Sequence, residues 1–134
     1  MRLLAIAAVA VALGCGDSFS ATTDNVAGDY HVTSFTTSDS AATVDWMTVP
    51  GTTFTISLAA NGTTTGHIFV PGGGTGGADL DADMAGTWVL TRDIVTFNQS
   101  ADTFVRNVAF IATQNRLTGD KQFSTTRVRI TLSK

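Results

Sequence analysis

Four groups of residues in this 134-residue chain have types and spacings that chemistry could use. Gly72-Gly73-Gly74-Thr75-Gly76-Gly77 satisfies the G-x-G-x-x-G spacing of a dinucleotide turn. That chemistry needs the glycines to lead into a helix whose N-terminal amides meet pyrophosphate. The glycines lead instead into the acidic, strand-like Asp79-Leu80-Asp81-Ala82-Asp83, so a mobile surface loop begun by Pro71 is expected. The same aspartates carry the hard oxygen ligands that calcium takes. Met84 stands where a calcium loop needs glycine and Leu90 where it needs a bidentate Glu. On an extended strand the carboxylates form a row about 7 Å apart, which does not close around one ion. A solvated strand face that resists aggregation is the expectation. His31 and His67 fall in different segments with no H-E-x-x-H pattern and no cysteine–histidine cluster. A G-x-S-x-G turn is missing too. No catalytic residue, metal or cofactor is expected. The fourth group is Trp88, Phe97, Arg106 and Phe110, a guanidinium among large rings, which suits an apolar ligand with an anionic head.

Whether Arg106 meets those rings depends on the elements that carry them. Beyond Val26 no window shows helical periodicity, whereas period-two alternation recurs to the C-terminus. The chain contains 23 Thr, no Glu and two Lys, which favours pleated strands over helices. Leu80, Ala82, Met84, Gly86, Trp88 and Leu90 alternate with polar residues, predicting one long strand with a buried and a solvated face. A two-residue turn at Arg92-Asp93 sets Leu90 opposite Val95 and Trp88 opposite Phe97, although Arg suits the positive φ of such a turn poorly and a longer loop is the alternative. A second hairpin crosses Ala60-Asn61-Gly62. With Gly62 as a bulge it buries Ile68 and Val70 and sends His67 to solvent, and this form is preferred because it hides more apolar surface. A third turns at Gln114-Asn115 with Ala112 opposite Leu117. The alternation then places Arg106 inward with Phe104, Val108 and Phe110, and Trp88 and Phe97 on the wall. An unpaired charge there would be costly. Arg106 either meets an anionic ligand head or, in the plainer reading, pairs with a rim Asp while its stem covers the core.

The N-terminus has a different character. Arg2 is followed by an apolar run from Leu3 to Leu13, too short to span a bilayer, and then by Gly14 and Cys15, the only cysteine. Ala12-Leu13-Gly14-Cys15 resembles the lipobox of bacterial lipoproteins, although Ala12 and Leu13 reverse the usual order of leucine and small residue. The resemblance implies diacylglyceryl transfer to the Cys15 thiol and cleavage ahead of it. It also implies an exported protein held by lipid on the cell envelope, at the outer membrane facing the periplasm. An ordinary secretory signal is the alternative. Residues 1–14 are thus read as a signal peptide, 15–25 as a Ser/Thr/Asp-rich tether and 26–134 as the folded domain. A formal net charge of -3 argues against nucleic acid as a partner. The implied partners are a membrane, through the lipid, and a small apolar ligand.

About eight strands joined by short turns suit an antiparallel up-and-down β-barrel, with a β-sandwich of immunoglobulin type as the rival. Ala27-Gly28-Asp29-Tyr30-His31-Val32-Thr33 and Ala85-Gly86-Thr87-Trp88-Val89-Leu90-Thr91 share a pattern that marks equivalent strand starts. Gly28-Asp29-Tyr30, Gly86-Thr87-Trp88, the serial hairpins and the arginine-bearing last strand resemble the lipocalin-like (calycin) barrels. That family places Gly-x-Trp on its first strand, where this chain has Tyr30. It packs a basic residue of the last strand across the ring, a part the resemblance gives to Arg127 or Arg129. It implies a non-catalytic binding domain. A structural or interaction protein with a filled core is the alternative.

Overall fold

A computed structural model describes residues 18–134. Cys15 and the signal-like segment lie outside the described residues. The alternating Thr and aliphatic residues form ten strands: β1 (Gly28–Ser38), β2 (Thr43–Asp45), β3 (Thr53–Leu58), β4 (Thr63–Val70), β5 (Leu80–Asp83), β6 (Gly86–Thr91), β7 (Ile94–Gln99), β8 (Phe110–Thr113), β9 (Arg116–Phe123) and β10 (Thr126–Ser133). Eight of them, β1, β3, β4, β6, β7, β8, β9 and β10, pair antiparallel in that order, and β10 returns to pair with β1 from His31–Ser133 to Ser38–Arg127. The sheet is therefore a closed up-and-down barrel, and closure excludes the sandwich. The short β2 pairs with β1 and β5 with β4, both outside the ring. No helix among the described residues is long and apolar enough to cross a membrane.

Three predicted registers are present. Trp88 faces Phe97 and Leu90 faces Val95 across the Arg92-Asp93 turn, where Arg92 takes φ 59°. Ala112 faces Leu117. The loop between β3 and β4 has its bulge at Gly62, with φ 90°, so Ile68 and Val70 are buried and His67 is exposed. Asn61 fixes that loop by accepting from the Thr63 backbone N–H at 3.1 Å and from its hydroxyl at 2.7 Å.

The inward side chains fill the barrel. Phe54, Ile56, Ile68, Phe110, Leu117 and Ile130 are each at most 1% exposed. Filling by its own side chains is what an eight-stranded barrel permits. The Phe97 and Phe110 rings meet edge to face at 5.4 Å. The two similar strand starts do equivalent work. Tyr30 is buried and its hydroxyl donates to the Val26 carbonyl at 2.6 Å, while the buried Trp88 indole donates to the Ala59 carbonyl at 2.8 Å. Burial pushes the Tyr30 phenol up to about 12.

Four expectations are corrected. The stretch from Leu80 to Leu90 is two strands, since the chain jogs at Met84 and Ala85, leaving β5 beside β4 while β6 joins the ring. The jog preserves the two-residue period, because Met84 and Trp88 remain inward, so alternation cannot reveal it. Order begins before Val26. Phe19 and Ala21 pack against the core, and a helical turn, α1 (Thr23–Val26), is capped by Thr22, whose side chain accepts from the Asn25 N–H. Residues Phe104–Asn107 form a 3-10 turn, not a strand. Finally, neither Arg127 nor Arg129 packs on Tyr30. Arg127 makes a two-bond pair with Asp120 at 2.7 Å, holding that carboxyl below its ordinary range. Lys134 lies over the Tyr30 ring instead, 5.4 Å from its centroid, and donates to the Asn25 and Ala27 carbonyls at 2.5 and 2.9 Å.

Candidate functional site

The barrel has two unlike ends. One, the entry end, gathers the segment 18–27, the Arg92-Asp93 and Gln114-Asn115 turns and Lys134. The other gathers β2, the Gly-rich loop, the Phe104–Asn107 turn and the β9–β10 turn. An apolar cleft of about 220 Å³ opens at this second end.

Each wall of the cleft is placed by a local cause. A bulge at Thr33 shifts the β1 register between Val32 and Ser34, so Phe35 turns inward after Tyr30 and Val32 instead of outward. Asp39 accepts from the Ala41 and Ala42 amides at 2.8 and 2.9 Å, which tightens the β1–β2 connection. Those two bonds, Ala42's first, hold the Asp39 carboxyl below its ordinary range. Asp45 then caps a 3-10 turn, Trp46–Thr48, by accepting from the Met47 amide at 3.0 Å. That cap leans Trp46 over β1, where its indole N–H donates to the Thr37 hydroxyl at 3.0 Å. Phe35 lies between Trp46, at 6.2 Å, and Phe104, stacked on it at 5.4 Å. Thr37 on β1, Phe123, Thr126 and Val128 from the β9–β10 hairpin, Gly73 from the Gly-rich loop and Leu80 at the start of β5 complete the lining. Lys121 braces the rim. Its ammonium sits 5.2 Å from the Phe123 centroid and donates to the Asn107 carbonyl at 2.7 Å.

The lining offers rings, aliphatic carbon, two threonine hydroxyls and backbone, and no titratable side chain. Chemically it can hold an apolar molecule by stacking and dispersion.

The residues singled out from sequence lie elsewhere. Trp88, Phe97 and Phe110 are core residues, and Phe97 and Phe110 are brought together inside the barrel, but none of the three lines this cleft. Arg106 does not point inward. The 3-10 turn rotates it out of register with Val105 and Val108, its side chain is 37% exposed, and it pairs with Asp102 at 2.7 Å. The pairing with an Asp, as in the plainer reading, is the geometry found.

The aspartate row is engaged within the protein. Asp79 accepts from the Gly72 amide at 2.9 Å and ties down the Gly-rich loop. Asp81 and Asp83 face the two ring nitrogens of His67 at 2.7 and 3.1 Å. Sequence reasoning missed Phe35, Trp46, Phe104 and Phe123 as a group. The available signal was that Trp46, Phe104 and Phe123 stand where alternation stops, at the edges of turns, where a ring cannot be assigned to an inner or outer face.

Comparison of the chain with family models, with curated proteins and with solved structures yields no match.

Proposed function

We propose that this chain is an exported, lipid-anchored envelope protein whose non-catalytic barrel holds a small apolar molecule at its open end. The anchor is read from Cys15 and the apolar segment before it, and the binding from the cleft of Phe35, Trp46, Phe104 and Phe123. The cleft is the observation that carries the reading. It gathers aromatic side chains around an open space, and it contains no acid, base or nucleophile of the strength catalysis uses. The packed barrel interior limits the ligand to the mouth. A cavity of about 150 Å³ admits benzene, so this one suits one or two rings or the end of an alkyl chain. Lys134 over Tyr30, in the place a lipocalin-like barrel gives to its basic residue, supports the kinship suggested by Gly28-Asp29-Tyr30.

The filled interior also favours a second reading, a structural or interaction protein that carries no ligand. N-phenyl-1-naphthylamine separates the two, because its fluorescence rises on transfer to an apolar site. The first reading expects saturable binding, weakened about tenfold or more by Trp46→Ala or Phe104→Ala, since each removes a stacking face worth roughly 1 kcal/mol along with buried area. Arg106→Gln is expected to leave the affinity within twofold. Absence of saturable binding, or equal affinity in all variants, assigns the protein to the second reading.

A further inference from the structure

The outer face of the barrel carries an unusual strip beside the entry end. Val89 on β6, Ile94 on β7 and Ile111 on β8 all point away from the core, and they are 56%, 39% and 52% exposed. Ile94 and Ile111 are direct cross-strand partners, and Thr91, Thr96 and Thr118 are each paired with one of the three apolar residues. A contiguous strip of this kind marks a surface that meets something apolar.

Two arginines frame it. Arg92 is in the turn between β6 and β7, and Arg116 begins β9, paired with Thr113 two residues beyond Ile111. Among the described residues neither makes an ion pair or a side-chain hydrogen bond, whereas Arg106, Arg127 and Arg129 are each paired with an aspartate. Asp93 shares the turn with Arg92, and Asp24 lies on the groove beside Lys134. The cations that the fold leaves uncommitted therefore sit at one end, next to its most exposed apolar side chains.

The chain enters at the same end. Ser18 and Phe19 line a groove with Gln114, Asn115 and Lys134, and Phe19 packs against the core. Three residue steps separate Cys15 from Ser18, which covalent geometry limits to roughly 11 Å.

We infer that the face formed by Val89, Ile94, Ile111, Arg92 and Arg116 docks on an anionic lipid bilayer, with the aromatic cleft turned away from it. The inference rests on the lipid anchor proposed above. An acyl chain on Cys15 leaves no slack for the barrel to turn over, so the entry end must lie at the headgroups. There the isoleucines reach the acyl boundary and the arginines meet lipid phosphates. β10 runs from the cleft to the entry end over eight residues, about 25 Å, which keeps the cleft in the aqueous compartment.

The test uses the full protein recovered from bacterial membranes and reconstituted in vesicles of phosphatidylcholine and phosphatidylglycerol at 7:3. Single cysteines at Ile94, Ile111 or Ser124 are labelled with a fluorophore and exposed to headgroup-nitroxide lipid, while intact mass reports acylation of Cys15. The expected result is quenching at positions 94 and 111 at least threefold stronger than at 124. The contrast should shrink at least twofold in Arg92→Gln/Arg116→Gln or in pure phosphatidylcholine. An acylated protein quenched equally at all three positions overturns the docking face and leaves the anchor standing. Quenching at 94 that tracks protein density instead of nitroxide content would give the face to a second copy and overturn the inference. A protein without acyl groups overturns the anchor and the inference together.

Discussion

A neutral imidazole can donate from only one ring nitrogen, yet both nitrogens of His67 face carboxylates on the outside of the barrel. Protonation lets both contacts become charge-assisted bonds. The His67 pKa is accordingly raised above its ordinary value, chiefly by the bond to Asp83, with desolvation opposing it and the charge and bond of Asp81 adding to it. A raised folded pKa means that the contribution to stability is complete below the unfolded value, near 6.5, and is lost as pH rises through the folded value. The site is open to solvent, so the effect belongs to β5 more than to the whole fold. Proton NMR titration should find His67 above the ordinary histidine range, and Asp83→Asn should bring it back towards that range. Amide exchange in β5 should quicken as pH passes upward through the His67 transition. An unshifted His67, or indifference to Asp83→Asn, contradicts the clamp. The outward position of His67 was legible, because only the Gly62 bulge buries both Ile68 and Val70. Its partners were not, since the β4–β5 pairing that sets Asp83 opposite His67 is a contact between strands, whereas spacing along the chain shows the aspartates only as a row on one strand.

Elements were legible where the period-two pattern was terminated by recognisable turn residues, as at Asn61-Gly62 and Gln114-Asn115, and at Arg92-Asp93 from the agreement of the two strands' apolar faces, since Arg is a poor residue for a positive φ. They were hidden where an irregularity left the pattern intact or imitated it. The Met84-Ala85 jog skips no inward position. The Phe104–Asn107 turn reads like a strand because Phe104, Val108 and Phe110 are spaced by even numbers, although Val105 is the residue it buries. The β1 bulge does the opposite and puts Phe35 inside on an odd step. Close approach of strands is also invisible without the partner. Gly66, at φ 141°, lies opposite Ile56 so tightly that a Cβ would collide with the Thr55 carbonyl. Because the obstacle is backbone and the dihedral disfavours L residues, Gly66→Ala is expected to destabilise the protein by about 2–4 kcal/mol. Urea unfolding monitored by tryptophan fluorescence measures it, and a loss under about 0.5 kcal/mol would contradict the close packing.

For the molecule as a whole, closure was legible in serial hairpins whose buried faces must all turn to one interior, and an eight-stranded ring does so without leaving an edge. The cleft was not. It is closed by segments outside the ring ladder, namely the Trp46 turn, the Phe104 turn and the Gly-rich loop, over ring residues such as Phe35 and Val128, and no periodic signal records how three irregular segments meet. For the same reason the residues chosen from the pattern, Trp88, Phe97 and Phe110, were those that the barrel uses to fill itself.

The β1–β10 ladder has a consequence for how the polypeptide could be rewired. Because Lys134 reaches the carbonyls of Asn25 and Ala27, the first and last parts of the domain are neighbours, and a short glycine–serine bridge could join them. New termini could then be opened between Gly76 and Gly77, where the positions of added Cβ atoms meet nothing within 4 Å. Such a circular permutant is expected to keep the far-ultraviolet spectrum of the parent and to melt within about 10 °C of it. Failure of the rewired chain to fold would show that β1 and β10 must begin and end the chain, and do more than lie side by side.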